Sequence, residues 1–480
     1  MHATTTADLA RDTDPEATRR RQPWSTLVVL CAAQFMVVLD ITVVNVALPS
    51  IGADLRFASA DLQWVITAYV LLAGGLLLLG GRAADLLGRR RVFLAGLALF
   101  TIASLVSALA WSPVTLIAAR ATQGLGAALL TPAALSIIVT TYTGTQHTTA
   151  LTVWGAIASA GAAAGMLLGG VLTTWLSWEW IFLINIPVGV VAAALAVRLV
   201  SPARPTGAGA RQLDLPGAGL VVGGLVVLVY ALQQTAEYGW GSTRTLVLLV
   251  LSAALLAGFI GAERTVKRPL LSARTWRSRS LVAGAAILLG ATGILVGTFF
   301  LNSLYLQHVI GASALQTGLA FLPIAVSIAI GAHLASHLLG HAASRVVAVA
   351  GASLMAAATA LLAAVPDNAS YLGNLLPGFV ILGFGVGLVF PAVSVTAMSE
   401  LDRDGAGIAS GLMMTAHEIG AALGVAILAA IAATAPAADF AVGYRDAFLV
   451  AAVLAAALAL AALLTLPAVR PSGTVRHLMH

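Results

Sequence analysis

The chain has 480 residues, of which 60% are hydrophobic and only 9% charged, with a mean hydropathy of +0.97. Soluble domains carry about 25% charged residues, so this composition excludes a water-soluble fold and defines an integral membrane protein. The formal charge of +6 does not imply nucleic acid, because the basic residues sort by membrane side, and the single Cys31 excludes an intramolecular disulfide.

Crossing the hydrocarbon core takes ~20 residues of helix at ~1.5 Å each. Fourteen apolar runs reach that length: 24–49, 61–81, 92–111, 113–140, 150–175, 179–200, 215–235, 244–263, 280–307, 315–339, 345–365, 371–397, 405–433 and 445–467. Strands of a lipid-facing barrel would instead alternate over about 10 residues. The expected fold class is therefore all-α. The first run is too long for the h-region of a cleavable signal.

An even number of spans puts both termini on one side. That side collects Arg19, Arg20, Arg21, the Arg82–Arg91 loop, Arg198, Arg204, Arg211, the Arg264–Arg279 segment and Arg470, whereas the other keeps Arg56, Arg244 and Arg445. The bias predicts a bacterial plasma-membrane protein with both termini cytoplasmic. Pro202, Pro205 and Gly207 mark a break between two blocks. The expected division is a disordered N-terminus (1–22), an N-terminal six-span block (23–200), a linker with two additional spans (201–279), a C-terminal six-span block (280–467) and a tail (468–480).

The loop after the second span reads GRAADLLGRRRV, Gly81–Val92. Gly81 is expected to permit close packing, Asp85 to cap or pair, Gly88 to make the turn, and Arg89, Arg90 and Arg91 to anchor at headgroups. HLLGHAASR (His337–Arg345) repeats it in degraded form, with His337 where Asp85 stands. Such a repeat is what duplicated transporter halves leave behind.

GRAADLLGRRR resembles the loop 2–3 signature of the major facilitator superfamily, and LDITVVNVALP (Leu39–Pro49) resembles the first-helix motif of its fourteen-spanner drug:proton antiporter family. RATQGLGAALLTPA (Arg120–Ala133), GAAAGMLLGG (Gly161–Gly170) and WEWIFLINIPVG (Trp178–Gly189) resemble motifs of helices 4, 5 and 6. The similarity is dense from the first span to the sixth and weaker at the thirteenth. It implies two six-helix bundles with two extra helices between them. It also implies that the Gly161, Gly165, Gly169 and Gly170 stripe meets a helix of the other half. Two departures stand out: Met166 occupies a position where the family has proline, and Glu179 one where arginine is common.

Of the 19 acidic residues only Asp40 and Glu418 fall well inside spans, and Arg120 is the one basic residue that does. A charge at the bilayer centre costs at least ~2.5–3.5 kcal/mol, so each marks a candidate site. Asp40, with Thr42 and Asn45 beside it, is expected to face a cavity. Poor hydration disfavours a carboxylate's charged form, which suits proton exchange against a cationic substrate, and the resemblance points the same way. Arg120 is expected to poise a carboxylate, with Asp40 the natural partner and Gln123 bonding nearby. Glu418 is a second candidate. Its neighbour His417 lies about 100° around the helix, so the two are not expected to share a face. Met413 suits an adaptable pocket, although paired methionines are more often ordinary core. Tryptophans such as Trp111 and Trp175 fit an interfacial belt. His333, His337 and His341 have metal-ligand spacing, but a snorkelling helix end explains them more simply.

No phosphate-binding loop, nucleophile elbow or zinc-protease signature occurs, and two acids on distant helices make no catalytic set. The expected function is a proton-coupled secondary transporter, not an enzyme. It would export hydrophobic or cationic drugs by alternating access, with no cofactor or metal. The expected partners are substrate, protons and lipid, with the chain a monomer. A dedicated exporter of one endogenous metabolite, or a non-transporting scaffold or sensor, is the alternative.

Overall fold

The computed structural model describes residues 24–58, 61–201, 214–265, 278–366, 369–399, 406–435 and 440–469. The polar N-terminus, most of the tail and the basic residues between 202 and 213 and between 266 and 277 lie outside them. The N-terminal half comprises α1 (Trp24–Asp54), α2 (Trp64–Leu87), α3 (Arg89–Ala108), α4 (Pro113–Thr141), α5 (Gly144–Trp175) and α6 (Trp180–Leu199). A hairpin follows, α7 (Leu215–Tyr238) and α8 (Thr243–Thr265). The C-terminal half comprises α9 (Arg279–His308), α10 (Ala314–Leu339), α11 (Ser344–Ala363), α12 (Tyr371–Met398), α13 (Ala406–Ala432) and α14 (Phe440–Thr465). Among the described residues, 14 helices are long and apolar enough to cross a membrane, and they coincide with the runs read from the sequence.

Short connections are built from capping side chains. Ser112 accepts from the Thr115 amide with Pro113 behind it, so only four residues separate the end of α3 from the start of α4. Ser313 and Gln316 form a reciprocal capping box at α10. Gly88 turns α2 into α3 at φ +100°, a conformation a β-carbon disfavours. Beyond that turn Arg90 donates to the Val197 carbonyl at 2.5 Å, while the exposed Asp85 and half-exposed Arg89 lie 3.7 Å apart and contribute little.

Helices packing in lipid gain from close backbone approach at small residues. Here the structure corrects two expectations. In α2 it is Gly80 whose β-carbon would overlap the Ala128 carbonyl; a β-carbon on Gly81 would make only ordinary contact, 3.6 Å from Pro132 Cβ. In α5 the stripe of Gly161, Gly165 and Gly169 meets α1 of its own half, at Phe35, Thr42 and Val43. A four-residue repeat reports that a neighbour is close but not which one. Gly170 does meet the other half: a β-carbon there would come within 2.7 Å of Leu315 Cα. α5 runs as one helix through Met166.

The halves join through α1–α9, α5–α10 and α2–α13. Ser303 donates to the Asn45 carbonyl (2.5 Å) and Gln307 to that of Val46 (2.9 Å). The Leu315 amide donates to Thr174 (3.1 Å). These bonds lie toward the ends of α1, α5 and α9 and the start of α10, on the side opposite the Arg89–Arg91 turn. The extra hairpin rides on one seam between the halves: α7 packs on both α2 and α13. Gln233 of α7 accepts from Trp64 and donates to Asp61, each at 2.5 Å. α8 packs on α7 through Ser252 and the Gly224 carbonyl and presents Val247, Val250 and Leu251 outward.

Candidate functional site

The polar centre of the N-terminal half is assembled from five helices. Asp40 projects from α1, Tyr69 from α2, Ser104 from α3, Arg120 and Gln123 from α4, and Asn185 from α6. Arg120 and Gln123 are three residues apart and so share one helix face. Ile184 interrupts α6 between Trp180–Leu183 and Asn185–Leu199, which places Asn185 at the start of a new helical piece. Pro187, lacking an N–H, follows two residues later.

Asp40 accepts three hydrogen bonds. Arg120 Nη1 reaches its Oδ2 at 2.5 Å, while Gln123 Nε2 and Asn185 Nδ2 reach Oδ1 at 2.8 and 2.9 Å. Gln123 and Asn185 also donate to the Ser104 hydroxyl, at 2.7 and 3.2 Å. Arg120 donates further to Gln123 Oε1 and, through Nε, to the Val65 carbonyl at 3.0 Å. Its guanidinium lies 4.4 Å from the Tyr69 ring centre and 5.7 Å from that of Phe182, within cation–π range. Asp40 is 0% and Arg120 1% exposed. A buried pair is tolerated when its geometry is good and its remaining polar atoms are bonded, and here nearly every one is. The sequence argument puts Asp40 on the cavity between the halves. The structure instead encloses it inside one half, with no exposed surface in this conformation.

The remaining candidates fall in different places. The Thr42 hydroxyl donates back to the Leu39 and Val38 carbonyls at 3.0 and 3.2 Å and packs on Gly165. Asn45 is buried and donates to the Ile41 carbonyl at 3.0 Å. Both donate to carbonyls of their own helix, but the buried Asn45 Oδ1 has no hydrogen-bond partner among the described residues. Met413 is buried in the core. Glu418 sits where α13 crosses α2: a β-carbon on Gly74 would come within 2.5 Å of the Glu418 Cβ. His417 Nδ1 lies 3.8 Å from Glu418 Oε1, with the side chains 42% and 17% exposed. This corrects the expectation that the two diverge, since long side chains bridge the 100° between them. The His417 ring meets Phe390 edge to face, centroids 6.0 Å apart.

Three members of the centre escape a charge-based reading: Ser104, Asn185 and Tyr69. Asn185 had a faint signal, a lone amide in the apolar stretch FLINIPVG. Ser104 and Tyr69 had none. The buried Tyr69 hydroxyl has no hydrogen-bond partner among the described residues, and its electrostatic neighbours include Asp40, Arg120 and Glu418.

Two six-helix halves, one of them enclosing a buried ion pair, define a multi-pass membrane protein of the transporter type. The Major Facilitator Superfamily matches residues 30–425. The chain is 42% identical over 429 residues to the cephamycin export protein of Amycolatopsis lactamdurans, covering 88% of each. It is 44% identical over 410 residues to the puromycin resistance protein of Streptomyces alboniger, covering 84% of this chain and 81% of the relative. Among solved structures, an auto-inhibited POT family peptide transporter shares the fold with a TM-score of 0.68 at 16% identity, over 91% of this chain and 95% of that one. The chain belongs to the Major Facilitator Superfamily.

Proposed function

We propose that the protein is a proton-coupled secondary transporter that exports hydrophobic or cationic small molecules, antibiotics among them, by alternating access. It works from the plasma membrane with both termini in the cytoplasm. The observation that carries this reading is the Asp40–Arg120 pair, fully buried in the half that would rock. Protonating Asp40 removes its charge and leaves Arg120 as an uncompensated cation. Breaking a buried pair in this way costs ~3–5 kcal/mol. The packing around α1, α4 and α6 would therefore rearrange, and proton binding would bias one arrangement of the half over another. One charge moved across 100 mV supplies ~2.3 kcal/mol, a driving force of similar size. The polar bonds at the ends of α1, α5 and α9 support a conformation closed on the side away from the Arg89–Arg91 turn. Glu418, at the α2–α13 seam, is the second ionisable site, suited to a cation passing between the halves.

The relatives named for antibiotic export and resistance support the substrate class. The 42% identity to an export protein named for a single antibiotic favours, as a second reading, a dedicated exporter of one metabolite. Expression in a drug-sensitive bacterium distinguishes the two: resistance to several unrelated compounds indicates a multidrug exporter, and resistance to one class a dedicated exporter. In either case nigericin, which collapses the pH gradient, abolishes efflux. Efflux that survives nigericin defeats proton coupling.

A further inference from the structure

The last two turns of α10 carry His333 and His337 on an exposed face. Their Nε2 atoms converge to 3.3 Å. The ring planes stand 79° apart with centroids 4.8 Å from one another. Centroids that close, for that nitrogen separation, mean the rings approach at an angle and not end to end. Their inner nitrogens therefore border a common point. Two nitrogens bound at ~2.0–2.1 Å to a tetrahedral ion lie ~3.3–3.4 Å apart, the separation seen here. Without an ion, one Nε2–H can donate to the other ring's lone pair; on metal binding that ring takes the tautomer with its proton on Nδ1, so both Nε2 atoms present lone pairs. His341, the third residue of the series, lies past the end of the helix at Leu339, and no group of three metal-ligating side chains forms among the described residues.

We propose that His333 and His337 form a surface site for one divalent transition-metal ion of the Zn2+, Cu2+ or Ni2+ class. Imidazole suits these ions, whereas Mg2+ and Ca2+ require oxygen ligands. Solvent occupies the remaining coordination positions. The bound ion links successive turns at the end of α10, ahead of the turn into α11. His337 stands where the repeated loop of the first half has Asp85, which itself pairs across one turn with Arg89. A metal link in the second half thus parallels the salt bridge in the first, and it is separate from the ion-pair centre of the transport reading.

The test uses the full chain purified without a histidine tag and titrated with Cu2+ in detergent against a competing chelator. Asp40 and Arg120 remain untouched. In His333→Ala and in His337→Ala, affinity for one ion per chain falls by at least the ~10–100-fold lost when even an outer partner of a ligand is removed. His341→Ala binds as wild type. At one equivalent, the electron paramagnetic resonance spectrum shows coupling to two imidazole nitrogens, which needs no variant to fold. Wild-type affinity in the His333→Ala/His337→Ala double variant, or a spectrum with no imidazole nitrogen, overturns the proposal.

Discussion

Gly318 of α10 lies so close to α5 that a β-carbon there would overlap the carbonyl oxygen of Met166. This is a backbone-to-backbone approach between the two halves. It falls at the position where the family resemblance leads one to expect a proline. With methionine there, α5 continues as one helix and offers the Met166 carbonyl to a glycine of the opposite half, so closure depends on α10 presenting no side chain there.

Gly318→Val therefore obstructs closure on this side without touching the Asp40 centre. Overpacking costs ~1–3 kcal/mol, enough to shift a two-state equilibrium about five- to 150-fold. Efflux falls accordingly. Cysteine labelling from the side opposite the Arg89–Arg91 turn rises, because the variant spends more time open there. Wild-type labelling with wild-type efflux would show that the α5–α10 seam does not govern access.

Asp40 and Arg120 are coupled, and a double-mutant cycle measures by how much. Arg120→Gln leaves a buried carboxylate without its cation and lowers stability by ~3–5 kcal/mol. Asp40→Asn strands the arginine instead. Combining Asp40→Asn with Arg120→Gln costs less than the sum of the single changes, because neither leaves a charge behind. Thermal unfolding of the detergent-solubilised chain reads all four corners of the cycle.

Tyr69 packs its ring under Arg120 and leaves its hydroxyl without a hydrogen-bond partner among the described residues. An unsatisfied buried polar group costs ~1–3 kcal/mol, so Tyr69→Phe keeps the cation–π contact and leaves the unfolding midpoint equal or higher. If transport nevertheless drops, the hydroxyl finds its partner in another conformation of the cycle. Transport assays and unfolding on the same preparation separate the two effects.

The α7–α8 hairpin is fastened to the first half by Gln233, which bonds both Trp64 and Asp61. Gln233→Leu removes both bonds, at about 1 kcal/mol each. Amide exchange in the last two turns of α7 is expected to speed up, while α4 and α13 keep wild-type protection. Unchanged exchange in α7 would mean that apolar packing alone holds the hairpin.

The spans were legible because lipid leaves the chain little choice: a run of ~20 apolar residues becomes a helix across the bilayer. The Asp40–Arg120 pairing was legible for the same energetic reason, since lone charges there need partners. Neutral partners were not. One serine or tyrosine in an apolar span carries little cost, so Ser104 and Tyr69 left no trace in the sequence. Orientation around a helix was equally hidden. Gly161, Gly165 and Gly169 announced a close neighbour without showing that it was α1, and Gly80 and Gly81 differ only in the direction they face. Thr42 and Asn45 suggested a polar lining, but both bond to the carbonyls of their own helix.

The central claim is that Asp40 links proton movement to transport, and proteoliposomes with an imposed pH gradient test it most directly. Wild type should drive a cationic dye uphill. Asp40→Asn should still exchange dye down its own gradient but fail to concentrate it. If Asp40→Asn concentrates dye as well as wild type does, the pair is structural and Glu418 becomes the carboxylate to test.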